Sequence, residues 1–229
     1  MSFQQCGFEV VPDVVSAPDR ALIISAIGGM LATAAGSREL LHAPWCQELS
    51  VSLRCHPALR LLLPADFVAV QCTYFAKTEA TNWLVAYHQD LSIPASSPAE
   101  GPSLTGSSLK QGMRFIQPSV AVLERLIAVR VHLDESNEDN GPLRVIRASH
   151  RYGRIPARDL GRYRELEQEV ACLVPEGGAL VFRPLLLHAS SKSRSSRPRR
   201  VLHFLFGPRE LPDGLQWSIA VQTTAPAGV

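Results

Sequence analysis

Asn82-Trp83-Leu84-Val85-Ala86-Tyr87-His88-Gln89-Asp90 and Leu185-Leu186-Leu187-His188 are the stretches from which the rest of the chain can be read. The first is an apolar and aromatic run that ends in His-x-Asp. In an extended strand, residues i and i+2 project from one face roughly 6.5–7 Å apart at Cα, so His88 and Asp90 can grip one metal ion together. The second run ends in a further imidazole, His188, on a neighbouring strand. A His-x-Asp pair alone is weak, because most such pairs are surface or turn residues. The distant histidine and an arginine beyond it give the pair its weight.

Two imidazoles and one carboxylate on one face of a metal leave the opposite face open. That is the facial arrangement of non-haem Fe(II) sites, which take cosubstrate and O₂ in the vacant positions. Arg199 stands eleven positions after His188, beyond the polar loop 190–198, and precedes the apolar run Val201-Leu202-His203-Phe204-Leu205-Phe206. Strand, loop and strand place Arg199 beside the metal end of the preceding strand. There its planar fork can hold the far end of a dicarboxylate that chelates the ion.

Residues 82–90, Arg130-Val131-His132-Leu133-Asp134 with Asn140-Gly141-Pro142-Leu143, and the stretch from His188 to Arg200 resemble the phytanoyl-CoA dioxygenase family. The match is nearest to its small bacterial members and runs from about residue 38 to 208. The resemblance implies a mainly β chain, a double-stranded β-helix (jelly roll, cupin-like) with N-terminal helices packed outside the sheet. It implies Fe(II) held by His88, Asp90 and His188, with 2-oxoglutarate anchored by Arg199 and Ser190. The implied reaction uses O₂ to hydroxylate a small-molecule metabolite and releases succinate and CO₂. Related halogenases leave the position of Asp90 without a carboxylate, so Asp90 argues for hydroxylation. Two departures bear on loop shape rather than on ligands: Arg147-Ala148 where members read Pro-Gly, and Ala189 where Gly commonly follows the distal histidine.

Two other readings compete. One is a non-catalytic binding or sensing protein on the same jelly roll, its metal site vestigial. The intact set of His88, Asp90, His188 and Arg199 argues against it. The other is a cupin-like isomerase or hydrolase using Zn or Mn, which leaves Arg199 unexplained.

The 229 residues fit one domain, 1–229, and 46% hydrophobic with 19% charged residues is the composition of a globular chain with a core. A net charge of +2 is too small to argue for nucleic acid, and the Arg/Ser-rich stretch 190–200 lacks the aromatic interleaving of such a surface. Five cysteines, odd in number and without Cys-x-x-Cys spacing, argue against a disulfide framework or zinc knuckle. No signal-peptide pattern opens the chain, and no apolar run approaches a membrane span. The expectation is a cytoplasmic protein, monomer or homodimer, acting on a small molecule without nucleic acid or membrane.

Element by element, Phe8–Val11 is a strand, followed by a helix from Asp19 to about Thr33 that stops at Gly36. A second helix runs from Pro44 to about Ser52, and a short helical piece from His56-Pro57 ends near Pro64; His42 and His56 are structural or solvent-facing. Phe67–Phe75 is a strand with a hairpin-like connection to the His-x-Asp strand. Residues 92–117, crowded with Pro, Ser and Gly over 94–108, read as a lid over the metal site or as a passive insertion. Along Leu126–Leu133, alternation puts Arg130 and His132 on a face that becomes polar. They are candidates for contacting cosubstrate or substrate, or for an ion pair with Asp134, Glu135 or Glu138. Asn140-Gly141 signals a hairpin from this strand to Leu143–Ile146. A surface helix over 158–167 and strands at 170–174, 179–182 and 217–221 complete the pattern. Trp83, Tyr87 and Phe115 are either pocket walls or core.

Overall fold

The computed structural model describes residues 2–30, 36–96 and 106–222. In its larger sheet the strand order is Phe8–Val11, Ala179–Phe182, Ile127–His132, Arg199–Pro208, Phe67–Lys77 and Gly36–Ser37. A second sheet takes Glu169–Cys172, Leu143–Ile146, His188–Ser190 and Val85–His88 in that order. All these ladders are antiparallel, and most neighbours are distant in sequence. That is jelly-roll connectivity, as the sequence leads one to expect.

Side-chain alternation decides what each face of the larger sheet touches. Ile127, Val129 and Val131 turn outward onto Ile23, Ile27, Leu53 and Leu59 of the N-terminal helical segments. Ala128 points the other way and packs with Leu143, Val145, Cys172 and Phe182 between the two sheets. Along Phe67–Lys77 the period of two is broken once. Leu205 pairs with Gln71 and Phe206 with Ala69, which leaves Val70 as the extra residue of a bulge. The phase change lets Ala69 and Cys72 both face the helices, while Gln71, Thr73, Phe75 and Lys77 all line the interior.

The helices Ala17–Met30 and Pro44–Cys55 cover the outer face, the latter three residues longer than expected and opened by Pro44 at its first turn. The piece after His56 is a single 3-10 turn, Leu59–Leu61. Gly36 opens a short edge strand paired with Phe75, whereas the end of the preceding helix lies outside the described residues.

Several connections differ from expectation for one reason: successive strands often belong to opposite sheets. Phe67–Lys77 and Val85–His88 do not form a hairpin, because the chain crosses from the larger sheet to the smaller between them. Ile127–His132 and Leu143–Ile146 are likewise separated, so Asn140-Gly141 makes a crossover rather than a hairpin turn. Gly141 has φ +68°, and a Cβ there would collide with the Ser191 carbonyl oxygen. The stretch 217–221 contributes isolated bridges, Trp217 to Ala95 and Val221 to Ala69, instead of a strand. Residues 92–117 are not wholly irregular. Ile93–Pro94, Met113–Ile116 and Ser107–Lys110 form a third small sheet, while 97–105 lie outside the described residues.

Candidate metal centre

The His-x-Asp strand ends at His88, so Asp90 is placed by tertiary hydrogen bonds beyond the strand and not by strand pleating. Asp90 N–H donates to Pro184 O at 2.9 Å. Gln89, between the two candidates, is buried and locked: its Nε2 donates to Leu185 O and Gly153 O, and its Oε1 accepts from Ile155 N–H. These bonds fasten the end of His-x-Asp to the segment that leads into the distal histidine. That segment turns at Pro184-Leu185, where Leu186 N–H donates to Arg183 O at 2.8 Å, and the strand begins at His188 itself. Buried Ser149 holds it from the other side, accepting from Leu187 N–H at 2.8 Å and donating to Ile146 O at 2.7 Å.

His188 and His88 are direct cross-strand partners with ring centroids 4.3 Å apart. Each ring's Nδ1 lies 2.8 Å from a backbone carbonyl two residues earlier, Ala86 O for His88 and Leu186 O for His188. An N–H there fixes the tautomer and leaves the Nε2 lone pair for a ligand. Both Nε2 atoms stand 3.7 Å from an Asp90 oxygen, and the three donor atoms lie within 4.8 Å of one another. Divalent first-row metals take such donors at about 2.0–2.2 Å, so one ion fits between them with little movement. Burial lowers the His188 imidazole to about 4, against the pull of Asp90, so the ring is a neutral donor. Burial would raise the Asp90 carboxyl, but the fields of His188, His203, His88 and Arg130 outweigh it and hold the group below its ordinary value.

The triad opens onto a cavity of ≈ 430 Å³ between the two sheets, within the range of about 300–1,000 Å³ usual for ligand pockets. One end of the cavity is cationic. Arg199 starts its strand directly opposite Lys77 in the larger sheet, across the interior from the His188–Ser190 strand. Lys77 Nζ donates to Ser190 Oγ at 2.7 Å and to Ser191 O, and Ser190 Oγ donates to Gly141 O at 2.9 Å. Arg199 Nε donates to Asn140 O at 3.1 Å, while its buried Nη1 has no hydrogen-bond partner among the described residues. Arg130 is buried with its guanidinium 5.5 Å from the Phe75 ring centroid and its Nε unpartnered among the described residues. Of its three anticipated ion-pair partners, Asp134 binds Arg200 instead, and neither Glu135 nor Glu138 pairs with Arg130 among the described residues. Such orphaned donors beside buried cations suit an anionic guest.

His203 and Lys77 are among the wall residues that escaped the sequence reading. His203 is buried, its Nε2 3.8 Å from Asp90 Oδ2, and burial followed by Arg130 lowers it to about 3. Lys77 is buried although lysine is rarely so. The period of two was available as a signal, since 199, 201, 203 and 205 all line the cavity, as do 71, 73, 75 and 77. His132 is buried and unpartnered among the described residues but does not line the cavity. Trp83 and Phe115 line it; Tyr87 instead bonds Glu169 and stacks against Arg164. Four of the five cysteines are buried and all are free, Cys55 being exposed. No helix among the described residues is long and apolar enough to cross a membrane.

A jelly roll with two imidazoles, a carboxylate and an adjoining cationic pocket defines a class of metal-centred β-helix proteins. The phytanoyl-CoA dioxygenase family model matches residues 3–201, and the chain belongs to that family. No curated protein sequence matches it. Among solved structures, EctD from S. alaskensis with bound Fe is similar with a TM-score of 0.69 at 20% identity, over 90% of this chain and 74% of that one. HygX from Streptomyces hygroscopicus with nickel and 2-oxoglutarate bound gives 0.63 at 14% identity, over 90% and 84%. SnoK, a non-heme alpha ketoglutarate dependent carbocyclase from nogalamycin biosynthesis, gives 0.60 at 13%, over 91% and 82%.

Proposed function

We propose that the chain is an Fe(II)- and 2-oxoglutarate-dependent oxygenase that hydroxylates a small-molecule metabolite and releases succinate and CO₂. The observation that carries this is the convergence of His88, Asp90 and His188 at one cavity whose adjoining end holds Lys77, Arg199 and Ser190. The triad would hold the iron; Arg199, Lys77 and Ser190 the far carboxylate of 2-oxoglutarate; and Arg130 would lie between that end and Asp90. Iron and 2-oxoglutarate, if bound there, would supply the O₂-dependent oxidising chemistry for a substrate C–H bond.

The chain's own residues prepare the site. Asp90 stays ionised and His188 neutral over the physiological range, so both are ready as donors without a proton to lose. Arg199 and Lys77 orient the cosubstrate through charge-assisted hydrogen bonds in a site whose walls include Phe75, Val201, Leu143 and Leu205. The described parts of 92–117 contribute Ser92, Lys110 and Phe115 to the cavity wall, and we assign these parts the role of lid.

Incubation with Fe(II), 2-oxoglutarate, O₂ and a metabolite panel tests this reading. The expected result is ligand-stimulated succinate and a product with one added oxygen. A product that has lost hydrogen without gaining oxygen, as a carbocyclase chemistry would give, keeps the oxygenase and overturns the hydroxylase. Iron-loaded protein that forms no succinate with or without any ligand overturns the enzyme in favour of a binding protein.

A further inference from the structure

Five cations, Arg38, Lys77, Lys110, Arg130 and Arg199, line the cavity against a single carboxylate, Asp90, among the described residues. On the oxygenase reading, Asp90 faces a dication, while Lys77, Arg130 and Arg199 face the dianionic cosubstrate. Arg38 and Lys110 are left over. They are the solvent-accessible cations of the lining, Arg38 half-buried and Lys110 exposed, and so mark its mouth. Neither makes an ion pair among the described residues. Glu39, the nearest acid in sequence, is turned to the tip of the 107–116 hairpin beside Gly112 and is not part of the lining.

The two cations are brought to one place by the fold. Arg38 N–H donates to Gln111 Oε1 at 2.9 Å, which ties the end of the Gly36–Ser37 edge strand to the hairpin residue next to Lys110. Lys110 Nζ lies 5.2 Å from the Phe115 ring centroid, and Trp83 and Leu91 line the same cavity. Cations without an acidic partner beside aromatic and aliphatic walls suit a molecule with an anionic head and an apolar body.

We propose that the cavity mouth is an anion-binding subsite in which Arg38 and Lys110 hold the carboxylate or phosphate of the substrate, its apolar body lying against Trp83 and Phe115. This names the substrate class and rests on the oxygenase reading of the same cavity. Cationic and neutral metabolites are disfavoured, because the two left-over cations, Arg38 and Lys110, would repel the first and gain no anionic partner from the second.

The test is saturation-transfer NMR on protein loaded with Zn(II) in place of iron and saturated with 2-oxoglutarate. Phenylacetate, phenyl phosphate, phenylacetamide and phenethylamine are the probes, identical in ring and different in charge. An anion is expected to bind on the order of tenfold more tightly than the amide, and the preference to vanish in R38Q/K110Q and return in R38K/K110R. Whichever of phenylacetate and phenyl phosphate responds separates carboxylate from phosphate. Equal signals from all four probes, absent ones included, overturn the proposal, as does an anion preference that survives R38Q/K110Q. The 2-oxoglutarate signal in the same samples keeps the two failures apart: its absence from the parent protein counts against the oxygenase reading, its presence without an anion preference against the subsite alone.

Discussion

Lys77 and Ser190 stand on opposite sheets and meet at 2.7 Å between Nζ and Oγ. Their contact closes one end of the cavity, and Arg199 lies beside Lys77 as its cross-strand partner. This pair of cations is what separates the pocket from a metal site alone.

Lys77→Met is expected to weaken 2-oxoglutarate binding about ten- to a hundred-fold, the loss of one charge-assisted hydrogen bond of about 1.5–3 kcal/mol, and to leave metal binding intact. Calorimetric titration of the Mn(II)-loaded variant measures both. Unchanged 2-oxoglutarate affinity would show that Lys77 does not hold the cosubstrate.

Burial, followed by the fields of Arg199, Arg130 and Arg144, brings the Lys77 ammonium from 10.5 down to about 7. Between those values the unfolded chain binds the proton that the folded chain has released. Ligand-free stability should therefore rise with pH from about 7 towards 10.5. Affinity for the 2-oxoglutarate dianion should fall over the same interval, because the amine that meets it is neutral. Melting curves with and without ligand at stepped pH read both slopes, and both should flatten in Lys77→Met. Parallel slopes in parent and variant would show that another group is responsible.

Much of the site was legible in the sequence because its chemistry is carried by residue type and spacing: His88, Asp90 and His188 converge as the motif suggests. The geometry was not legible. Asp90 lies beyond the strand and is set by Gln89 and Pro184, a tertiary arrangement that a two-residue period cannot show. Arg199 reaches the pocket from the sheet opposite His188, and Lys77 gains its place in the pocket only through its cross-sheet contact with Ser190. The hairpin expected at Asn140-Gly141 failed because local turn propensity says nothing about which sheet the next strand joins.

Arg199→Lys keeps the charge and loses the fork, so 2-oxoglutarate affinity should fall by about 1.5–3 kcal/mol while metal binding stays. Arg199→Ala should be worse. Arg197 is exposed and Arg200 is engaged with Asp134, so their alanine variants should bind 2-oxoglutarate nearly as the parent does. A loss in Arg200→Ala with none in Arg199→Ala, read by the same titration, would reverse the assignment of faces.

Ala148 adopts φ +59°, a left-handed conformation that favours Gly. Non-glycine residues pay about 1–2 kcal/mol there, offset by roughly 0.5–1 kcal/mol of extra chain entropy for Gly. Ala148→Gly should therefore be neutral or stabilising by up to about 1 kcal/mol in urea denaturation. Gly141→Ala, by contrast, meets the Ser191 carbonyl and should destabilise by about 1–3 kcal/mol. A destabilised Ala148→Gly or an unaffected Gly141→Ala would contradict the backbone described for these turns.

Whether His88, Asp90 and His188 hold an iron that 2-oxoglutarate chelates is tested by anaerobic addition of the keto acid to Fe(II)-loaded protein, followed by visible absorption. Chelation at this triad should produce a saturable charge-transfer band, absent in His188→Ala and weakened in titre by Arg199→Ala. No band in the parent protein, or an undiminished one in His188→Ala, would rule out this metal centre.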